Sequence, residues 1–355
     1  MTDQDTPVRG PSRIARPTGS PVLSVEHLTV DLEGADNQPG LVGDVSFEVY
    51  PDRTLALIGE SGCGKTMTAM SILGLLPVGM HVSAGRIMFG DRDLLTLRPR
   101  ELREVRGSGI GMIFQDPMSS LNPTTRVGDQ IVEARRLHID EPKAVSAKRA
   151  VELLEQVGIP NAAKRVDAYP FEMSGGMQQR VMIAMAIACD PQLLIADEPT
   201  TALDVTIQAE ILDVLASLQR DRGMGILLVT HDLGVVADFA DDVAVMYAGH
   251  VVEYGLARDV FHHARHPYAR GLLDSMPQGA TPRSQLAVVP GRVPLAGQFP
   301  VGCRFQARCP HAEHDCLDPA MSLVEVAPLH QTRCVRVQRG EIELTPRLPG
   351  SRDDD

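Results

Sequence analysis

The segment Gly59-Glu60-Ser61-Gly62-Cys63-Gly64-Lys65-Thr66 constrains the fold of this chain more than any other feature. It follows an apolar run, Leu55 to Ile58, and opens a helix-like stretch from Lys65 to Leu76. A strand, a Gly-rich turn and a helix in this order indicate a phosphate-binding loop, whose backbone N–H groups surround phosphate oxygens at a helix N-terminus. With glycine at about 7% of residues, a chance match is on the order of one in a hundred, so an ordinary Gly-rich turn is the weaker interpretation.

Each side chain of this loop has an expected role. Lys65 is predicted to reach the β- and γ-phosphates of a nucleotide, and the Thr66 hydroxyl is predicted to ligate Mg²⁺. Cys63 lies among N–H dipoles and beside Lys65, which favours a thiolate whose oxidation would block the nucleotide. A tolerated variable position is the simpler interpretation of Cys63. The predicted nucleotide-binding residues of the loop are Gly59, Ser61, Gly62, Cys63, Gly64, Lys65 and Thr66.

A second apolar run, Leu193 to Ala196, ends in two carboxylates, Asp197 and Glu198. Asp197 is expected to hold Mg²⁺ through water, and Glu198 to polarise an attacking water. Paired acids at a strand end are also common in solvated turns. The phosphate loop upstream is what favours the catalytic interpretation.

Further apolar and periodic segments predict an α/β fold. Buried parallel strands are expected where short β-branched or apolar runs occur, and helices where the period is near 3.6. The strands are predicted at Val22 to Val30, Val45 to Val49, Thr54 to Ile58, Leu193 to Ala196, Ile226 to Val229 and Val243 to Met246, and helices at Ala144 to Val157 and Met177 to Ala188. The helical middle predicts a subdomain inserted into the α/β body.

Charge and hydropathy exclude two classes of protein. The formal net charge of −12 lacks the basic footprint of a nucleic-acid-binding protein, although a local basic patch stays open. No apolar stretch reaches the ~18 residues that a membrane-spanning helix needs. The N-terminus has no apolar core of a secretory signal, so a cytosolic protein is expected.

Downstream of the phosphate loop, Met173-Ser174-Gly175-Gly176-Met177 resembles the signature loop of ABC ATPases. It opens a helix, so Ser174 and the backbone N–H groups of Gly175 and Gly176 can bind a γ-phosphate. In that family, this phosphate sits on the phosphate loop of the opposite subunit. The resemblance therefore implies a head-to-tail pair of ATPase subunits.

Three more segments match that family in order. Gln115 resembles the Q-loop glutamine that touches Mg²⁺ and water, Ala202-Leu203-Asp204 resembles the D-loop, and His231 resembles the switch histidine. The resemblance implies a P-loop NTPase of ABC type, with a RecA-like core, an antiparallel β-subdomain and an inserted helical subdomain. It implies catalytic roles for Glu198, His231 and Gln115, nucleotide contacts from Asp197 and Asp204, and Mg²⁺ contacts from Thr66, Gln115 and Asp197. Leu32 falls where the family usually has an aromatic that stacks on adenine.

Two longer segments narrow the resemblance. Residues 114–123 and 266–273 are similar to the ATPases of dipeptide and oligopeptide importers. This similarity implies a peripheral motor on the cytoplasmic face of the membrane, working with two transmembrane permease subunits and a second ATPase, identical or homologous. An extracytoplasmic solute-binding protein would act indirectly, and no nucleic-acid partner is expected. The alternatives are the same motor for nickel or another small solute, and a soluble ABC ATPase without transport, which a single phosphate loop and an acidic balance disfavour.

The C-terminal part of the chain is rich in cysteine, with Cys303, Cys309, Cys316 and Cys334 within one short segment. This pattern matches the cysteine-rich region of the same importer ATPases. Four thiolates can ligate a [4Fe–4S] cluster or a tetrahedral Zn²⁺. The spacing lacks close C-x2-C pairs, which favours the cluster over zinc, and unpaired buried cysteines are the third interpretation. His311, His314 and His330 in this segment are expected to be surface residues.

These observations predict a division of the chain. A disordered tail covers 1–20, the nucleotide-binding domain covers 21–265 with its helical subdomain at about 117–190, the C-terminal region with the four cysteines covers 266–340, and a second tail covers 341–355.

Overall fold

The structure is a computed structural model that describes residues 19–34, 40–201, 203–276, 289–295, 297–319 and 321–345. The predicted tails lie outside these ranges except for residues 19, 20 and 341–345. The strands are β1 (Leu23–Leu32), β2 (Val42–Val49), β3 (Thr54–Ile58), β4 (Met80–Phe89), β5 (Arg92–Asp93), β6 (Ile110–Ile113), β7 (Leu193–Asp197), β8 (Gly225–Thr230), β9 (Asp242–Tyr247), β10 (His250–Leu256), β11 (Val324–Ala327) and β12 (His330–Thr332).

The α-helices lie between these strands and after them. They are α1 (Lys65–Ile72), α2 (Pro99–Val105), α3 (Pro117–Ser120), α4 (Val127–Arg136), α5 (Lys143–Gln156), α6 (Ala162–Arg165), α7 (Gly175–Ala186), α8 (Val205–Arg222), α9 (Leu233–Phe239), α10 (Ala257–His262), α11 (Pro267–Asp274) and α12 (Val335–Gln338). Single turns of 3₁₀ helix occur at Leu94–Thr96, Pro170–Glu172, Gln306–Arg308 and His314–Leu317.

The strands form two sheets. A four-stranded antiparallel sheet has the order β2-β1-β4-β5, and an eight-stranded sheet has the order β11-β12-β10-β9-β3-β8-β7-β6. In the larger sheet β6, β7, β8, β3 and β9 are parallel neighbours, while β10, β12 and β11 add antiparallel strands at one side. The predicted α/β class with an antiparallel β-subdomain is confirmed.

The parallel strands of the larger sheet bring the polar segments of the sequence to one edge. Every residue of β3, β7 and β8 is buried, as expected for strands covered on both faces. In the register of these strands, Ile58 is opposite Thr230, and Asp197 is opposite Val229. The residues that follow, Gly59, Glu198 and His231, therefore emerge side by side at the carboxyl edge of the sheet.

The chain segment that connects β6 to β7 folds into a layer of helices. Helices α4, α5 and α7 pack on one another and share a buried apolar core with the sheet, which includes Ile131, Leu153, Leu154 and Val181. The helices α3 to α7 run from Pro117 to Ala186. Ser174 is the N-cap residue of α7, the last helix of this layer.

A buried carboxylate joins the C-terminal region to the larger sheet. Glu253 of β10 is completely buried and accepts hydrogen bonds from the backbone N–H groups of Arg265 (2.7 Å) and His266 (2.8 Å). The ring of His330 in β12 contacts the same carboxylate at 2.6 Å through Nε2. His330 is itself buried, so its prediction as a surface residue was wrong. A buried carboxyl group needs such hydrogen-bond partners, so this contact links β10 to β12.

In the part of the chain that the structure describes, no helix combines the length and the hydropathy needed to cross a bilayer.

Candidate active site

The phosphate loop connects β3 to α1, and its glycines have backbone conformations that other residues rarely adopt. Gly59 has a φ of 150°, and a Cβ on it would lie 2.1 Å from the carbonyl oxygen of Met246 in β9. Gly64, with a φ of 103°, caps α1. The Lys65 ammonium is almost fully buried and donates to the carbonyl oxygens of Gly59 (2.8 Å) and Glu60 (3.1 Å). The loop therefore holds a positive charge at the N-terminus of a helix, where phosphate oxygens bind.

The two oxygen groups predicted to hold Mg²⁺ lie together. The Thr66 hydroxyl donates to Asp197 Oδ1 at 3.2 Å, and Asp197 is almost fully buried. Burial raises the pKa of Asp197 to about 6 against the opposing hydrogen bond from Thr66, and the nearby Glu198 raises it further. The raised pKa means that nearby positive charge does not offset the burial of this carboxylate. A hydroxyl and such a carboxylate are suitable ligands for a hard divalent cation. These residues therefore suit Mg²⁺, whereas Gln115, the third predicted ligand, contacts Glu198 instead.

Glu198 lies at the centre of a hydrogen-bonded group. Its carboxylate accepts from Gln115 Nε2 (3.1 Å) and from the Thr201 hydroxyl (2.8 Å), and it contacts His231 Nδ1 at 3.1 Å. Burial opposes ionisation, yet the hydrogen bonds from Thr201 and His231 hold the pKa of Glu198 below its usual value. Its φ of 47° lies in the left-handed region, where strain is typical of functional residues. An ionised, oriented carboxylate at this position can polarise a water molecule.

The start of the phosphate loop and the Glu198 group share one pocket. Its volume is about 400 Å³, within the range of small-molecule sites. The phosphate loop contributes Gly59, Glu60 and Ser61 to its wall, beside Gln115, Glu198 and His231. Leu233 of α9, Leu272 of α11 and Ser275, which follows α11, complete the lining. Leu32, at the end of β1, is partly exposed and is not among these described lining residues.

The predicted signature loop lines a different pocket. Ser174 caps α7 and its side chain accepts from the Met177 backbone N–H at 3.4 Å. Asp204 caps α8 in the same way through Ile207. Ser174, Gly175, Gly176 and Asp204 line this second pocket of about 500 Å³. The described chain thus brings the two halves of the predicted ATP site to separate surfaces, and Ala202 of the D-loop lies outside the described residues.

Cys63 does not have the environment that the sequence suggested. Its side chain is buried, and this burial raises the pKa of the thiol although Lys65 Nζ lies 3.8 Å from the sulfur and opposes the shift. Burial therefore opposes the thiolate hypothesis and favours the simpler interpretation of a tolerated position. Its side chain belongs to the apolar core that also includes Leu57 of β3 and Met246 of β9.

The four C-terminal cysteines line one small pocket. Burial raises the pKa of Cys303 to about 12 and that of Cys309 to about 11, and the neighbouring thiols raise both further. Backbone N–H groups point at these sulfurs: that of Phe305 at Cys303, that of His311 at Cys309, and those of Val337 and Arg336 at Cys334. Within the described ranges, no three His, Cys, Asp or Glu side chains are arranged as a metal-ion site.

One functional contact was absent from the sequence-based prediction. Thr201 supplies a hydroxyl to Glu198, and its only sequence signal is its place three residues after that carboxylate. A three-residue spacing just after a strand lets a side chain turn back toward the strand end, which could have indicated this contact.

Comparison with known proteins agrees with this geometry. A family profile described as ABC transporter matches residues 42–201, and one described as oligopeptide/dipeptide transporter, C-terminal region, matches residues 252–316. The dipeptide transport ATP-binding protein DppD of Bacillus subtilis is 48% identical over 82% of this chain and 87% of its own length. The oligopeptide transport ATP-binding protein OppD of Salmonella typhimurium is 48% identical over 83% and 88%, and DppD of Escherichia coli is 46% identical over 88% and 96%.

Solved structures show the same fold. The structure of CbiO1 from Clostridium perfringens, part of an ABC transporter complex, has a TM-score of 0.60 and 28% identity over 68% of this chain and 91% of that one. A dimeric ATP-binding cassette, MJ0796, bound to ADP and Pi, has a TM-score of 0.59 over 66% of this chain and 99% of that chain. At 24% identity the second match supports the fold alone.

We predict that Glu198→Gln keeps nucleotide binding and loses hydrolysis. The amide keeps the hydrogen-bonding shape but removes the charge that orients water, so turnover is expected to fall roughly 10²- to 10³-fold. Binding of a fluorescent ATP analogue and phosphate release measure the two properties separately. Glu155→Gln, on the exposed surface of α5, is the matched control, and turnover within about threefold of wild type in Glu198→Gln would contradict the role of Glu198.

Proposed function

Since this chain belongs to the family of ABC transporter ATP-binding subunits, we propose that it is the ATP-hydrolysing motor of an importer of dipeptides or oligopeptides. The observation that carries the hydrolytic part is the ionised Glu198, held by Gln115, Thr201 and His231 in the same pocket as the phosphate loop. The peptide part rests on the similarity to dipeptide and oligopeptide transport proteins across most of the chain. Nickel transport and a soluble non-transport ATPase find no comparable support.

The residues of the pocket and of the adjoining phosphate loop and β7 have different chemical roles. The N–H groups of the loop and Lys65 bind the β- and γ-phosphates, while Thr66 and Asp197, with Gln115, would hold Mg²⁺. Bound Mg²⁺ neutralises charge on the phosphate oxygens. Glu198 orients water for in-line attack. His231 holds Glu198 in place and can also contact the γ-phosphate.

A second ATPase subunit would complete the site. The phosphate loop and the Ser174 loop line separate pockets of one chain, with no lining residue in common. A head-to-tail pair, with an identical or homologous subunit, brings one pocket against the other, so that Ser174, Gly175, Gly176 and Asp204 cover the nucleotide bound to the opposite phosphate loop. Closure of this pair on ATP would drive the membrane subunits.

The importer would supply the remaining partners. We place the chain at the cytoplasmic face of the membrane, peripheral to two transmembrane permease subunits that an extracytoplasmic binding protein supplies with peptide. Residues 21–265 would form the nucleotide-binding domain, with 117–190 as its helical subdomain, and residues 266–340 the C-terminal region.

Uptake in cells tests the proposed transport. In a strain lacking this chain, uptake of a radiolabelled dipeptide is expected to fall to background, because the permease loses its motor. Wild type and Lys143→Ala, a change at an exposed lysine, should restore uptake, whereas Lys65→Ala should not. Full dipeptide uptake without the chain, or restored nickel uptake alone, would contradict peptide import.

A [4Fe–4S] cluster is the metal group that the four cysteines suit best, with Zn²⁺ as the alternative. Support comes from the four sulfurs around one pocket and from the N–H groups aimed at three of them, since hydrogen bonds to sulfur are typical of iron–sulfur sites. The spacing of the four cysteines, which lacks close C-x2-C pairs, is what favours the cluster over a single tetrahedral Zn²⁺. Such a cluster would crosslink the C-terminal region.

Anaerobic purification tests the cluster. We expect broad absorption at the blue end of the visible spectrum and about four irons per chain. Cys316→Ser should lose both signals, because one ligand is removed, whereas Cys189→Ser, in the helical layer, should keep them. Stoichiometric zinc, or wild-type protein without metal under anaerobic conditions, would contradict the cluster.

A further inference from the structure

An ion pair joins the C-terminal region to the phosphate loop. The Arg308 guanidinium donates from one nitrogen to both carboxylate oxygens of Glu60, at 3.0 and 3.2 Å. Arg308 is almost completely buried, while the Glu60 side chain is about 30% exposed. Glu60 follows Gly59 directly and lines the pocket of the active site. A residue far along the chain thus reaches the first turn of the loop.

Arg308 is held rigidly in this position. Its other nitrogens donate to the carbonyl oxygens of Pro290 (2.6 Å) and Val289 (3.1 Å). Its guanidinium lies over the rings of Tyr247 (5.6 Å) and Phe305 (5.8 Å). A buried arginine with all of its partners in place cannot easily turn away, so Glu60 has a fixed counter-charge.

The backbone of Glu60 is held from the same side. Its N–H group donates to the Tyr268 hydroxyl at 2.9 Å, and Tyr268 lies on α11, the helix whose Leu272 lines the pocket. Tyr268 also packs against Tyr247 and Phe305, at ring-centroid distances of 4.6 and 5.4 Å. The C-terminal region therefore fixes both the backbone and the side chain of Glu60.

Glu60 places a carboxylate beside a pocket that takes a polyphosphate. Like charges in a partly enclosed site repel, and screening by salt is incomplete within roughly 8 Å. We propose that Arg308 is a positioning residue for the ATP site: it neutralises Glu60 and directs its carboxylate away from the phosphates. ATP affinity then depends on the C-terminal region. This inference rests on the ATP site of the proposed function.

The charges predict opposite effects for the two partners. Arg308→Gln leaves an unpaired negative charge near the phosphates and is expected to weaken ATP binding about fivefold. Glu60→Gln leaves an unpaired positive charge and is expected to tighten binding about threefold. The double variant has neither charge and should bind within about twofold of wild type.

Equilibrium binding of ATP with Mg²⁺ to the full-length protein, at low and at high salt, measures this cycle. The differences among the variants should shrink at high salt, because mobile ions screen unpaired charges. Arg308→Lys keeps the charge without the paired geometry, so most of the affinity should return. Comparison of the ATP affinities of the single and double variants separates the effect of charge from the effect of packing.

Two outcomes would overturn the inference. If the double variant binds as weakly as Arg308→Gln, the arginine acts through packing and not by neutralising Glu60. If Arg308→Gln fails to fold, Glu60→Gln decides alone, and an unchanged affinity at low salt contradicts the proposal. Failure of the proposed ATP site would look different. Wild type would then bind no ATP, or the Lys65→Ala variant would bind ATP with the same affinity as wild type.

Discussion

Three parallel strands, β3, β7 and β8, end at the same level of the larger sheet, and this register assembles the active site. Each strand is buried throughout, so a shift in register would expose apolar residues or bury the polar residues that follow. The phosphate loop follows β3, Asp197 ends β7 with Glu198 directly after it, and His231 follows β8. Formation of the sheet is therefore enough to bring these groups next to one another.

A second constraint comes from close packing around the phosphate loop. Gly59 lies against the carbonyl oxygen of Met246 with no room for a side chain, which fixes the loop on β9. On the other side, Tyr268 and Arg308 hold Glu60. Together with the Glu253 and His330 contact, these interactions make the C-terminal region part of the body that supports the nucleotide, and not a separate attachment.

Local sequence signals predicted the parts of the fold that depend on local chemistry. Strands β3, β7, β8 and β9 and helices α5 and α7 lie within about two residues of their predicted ranges, since continuous apolar runs and a 3.6-residue period are strong signals. The helix after the phosphate loop ends at Ile72 and not at Leu76, because Gly74 adopts a φ of 59° and ends it. Strand β4 was not predicted, as most of its residues are exposed or half-exposed.

Contacts between distant segments were beyond sequence reasoning. Glu60 and Arg308 are 248 residues apart, and neither residue carries a local sign of the other. The burial of His330 likewise follows from its pairing with Glu253 across two strands. For Cys63, helix and lysine fields suggested a thiolate, but desolvation outweighs them, and only the packing around the loop reveals that.

The most direct test of the shared site uses two copies of the chain, the case in which the second ATPase subunit is identical to the first. Lys65→Ala removes the phosphate-loop half of a site, and Ser174→Arg blocks the signature half, so each purified variant should be inactive alone. Random pairing makes about half of the dimers mixed, each with one intact site of two, so an equimolar mixture is predicted to recover about one quarter of wild-type ATPase activity. If wild type alone hydrolyses ATP, a mixture no more active than its two components would contradict a site built from the phosphate loop of one copy and the Ser174 loop of another.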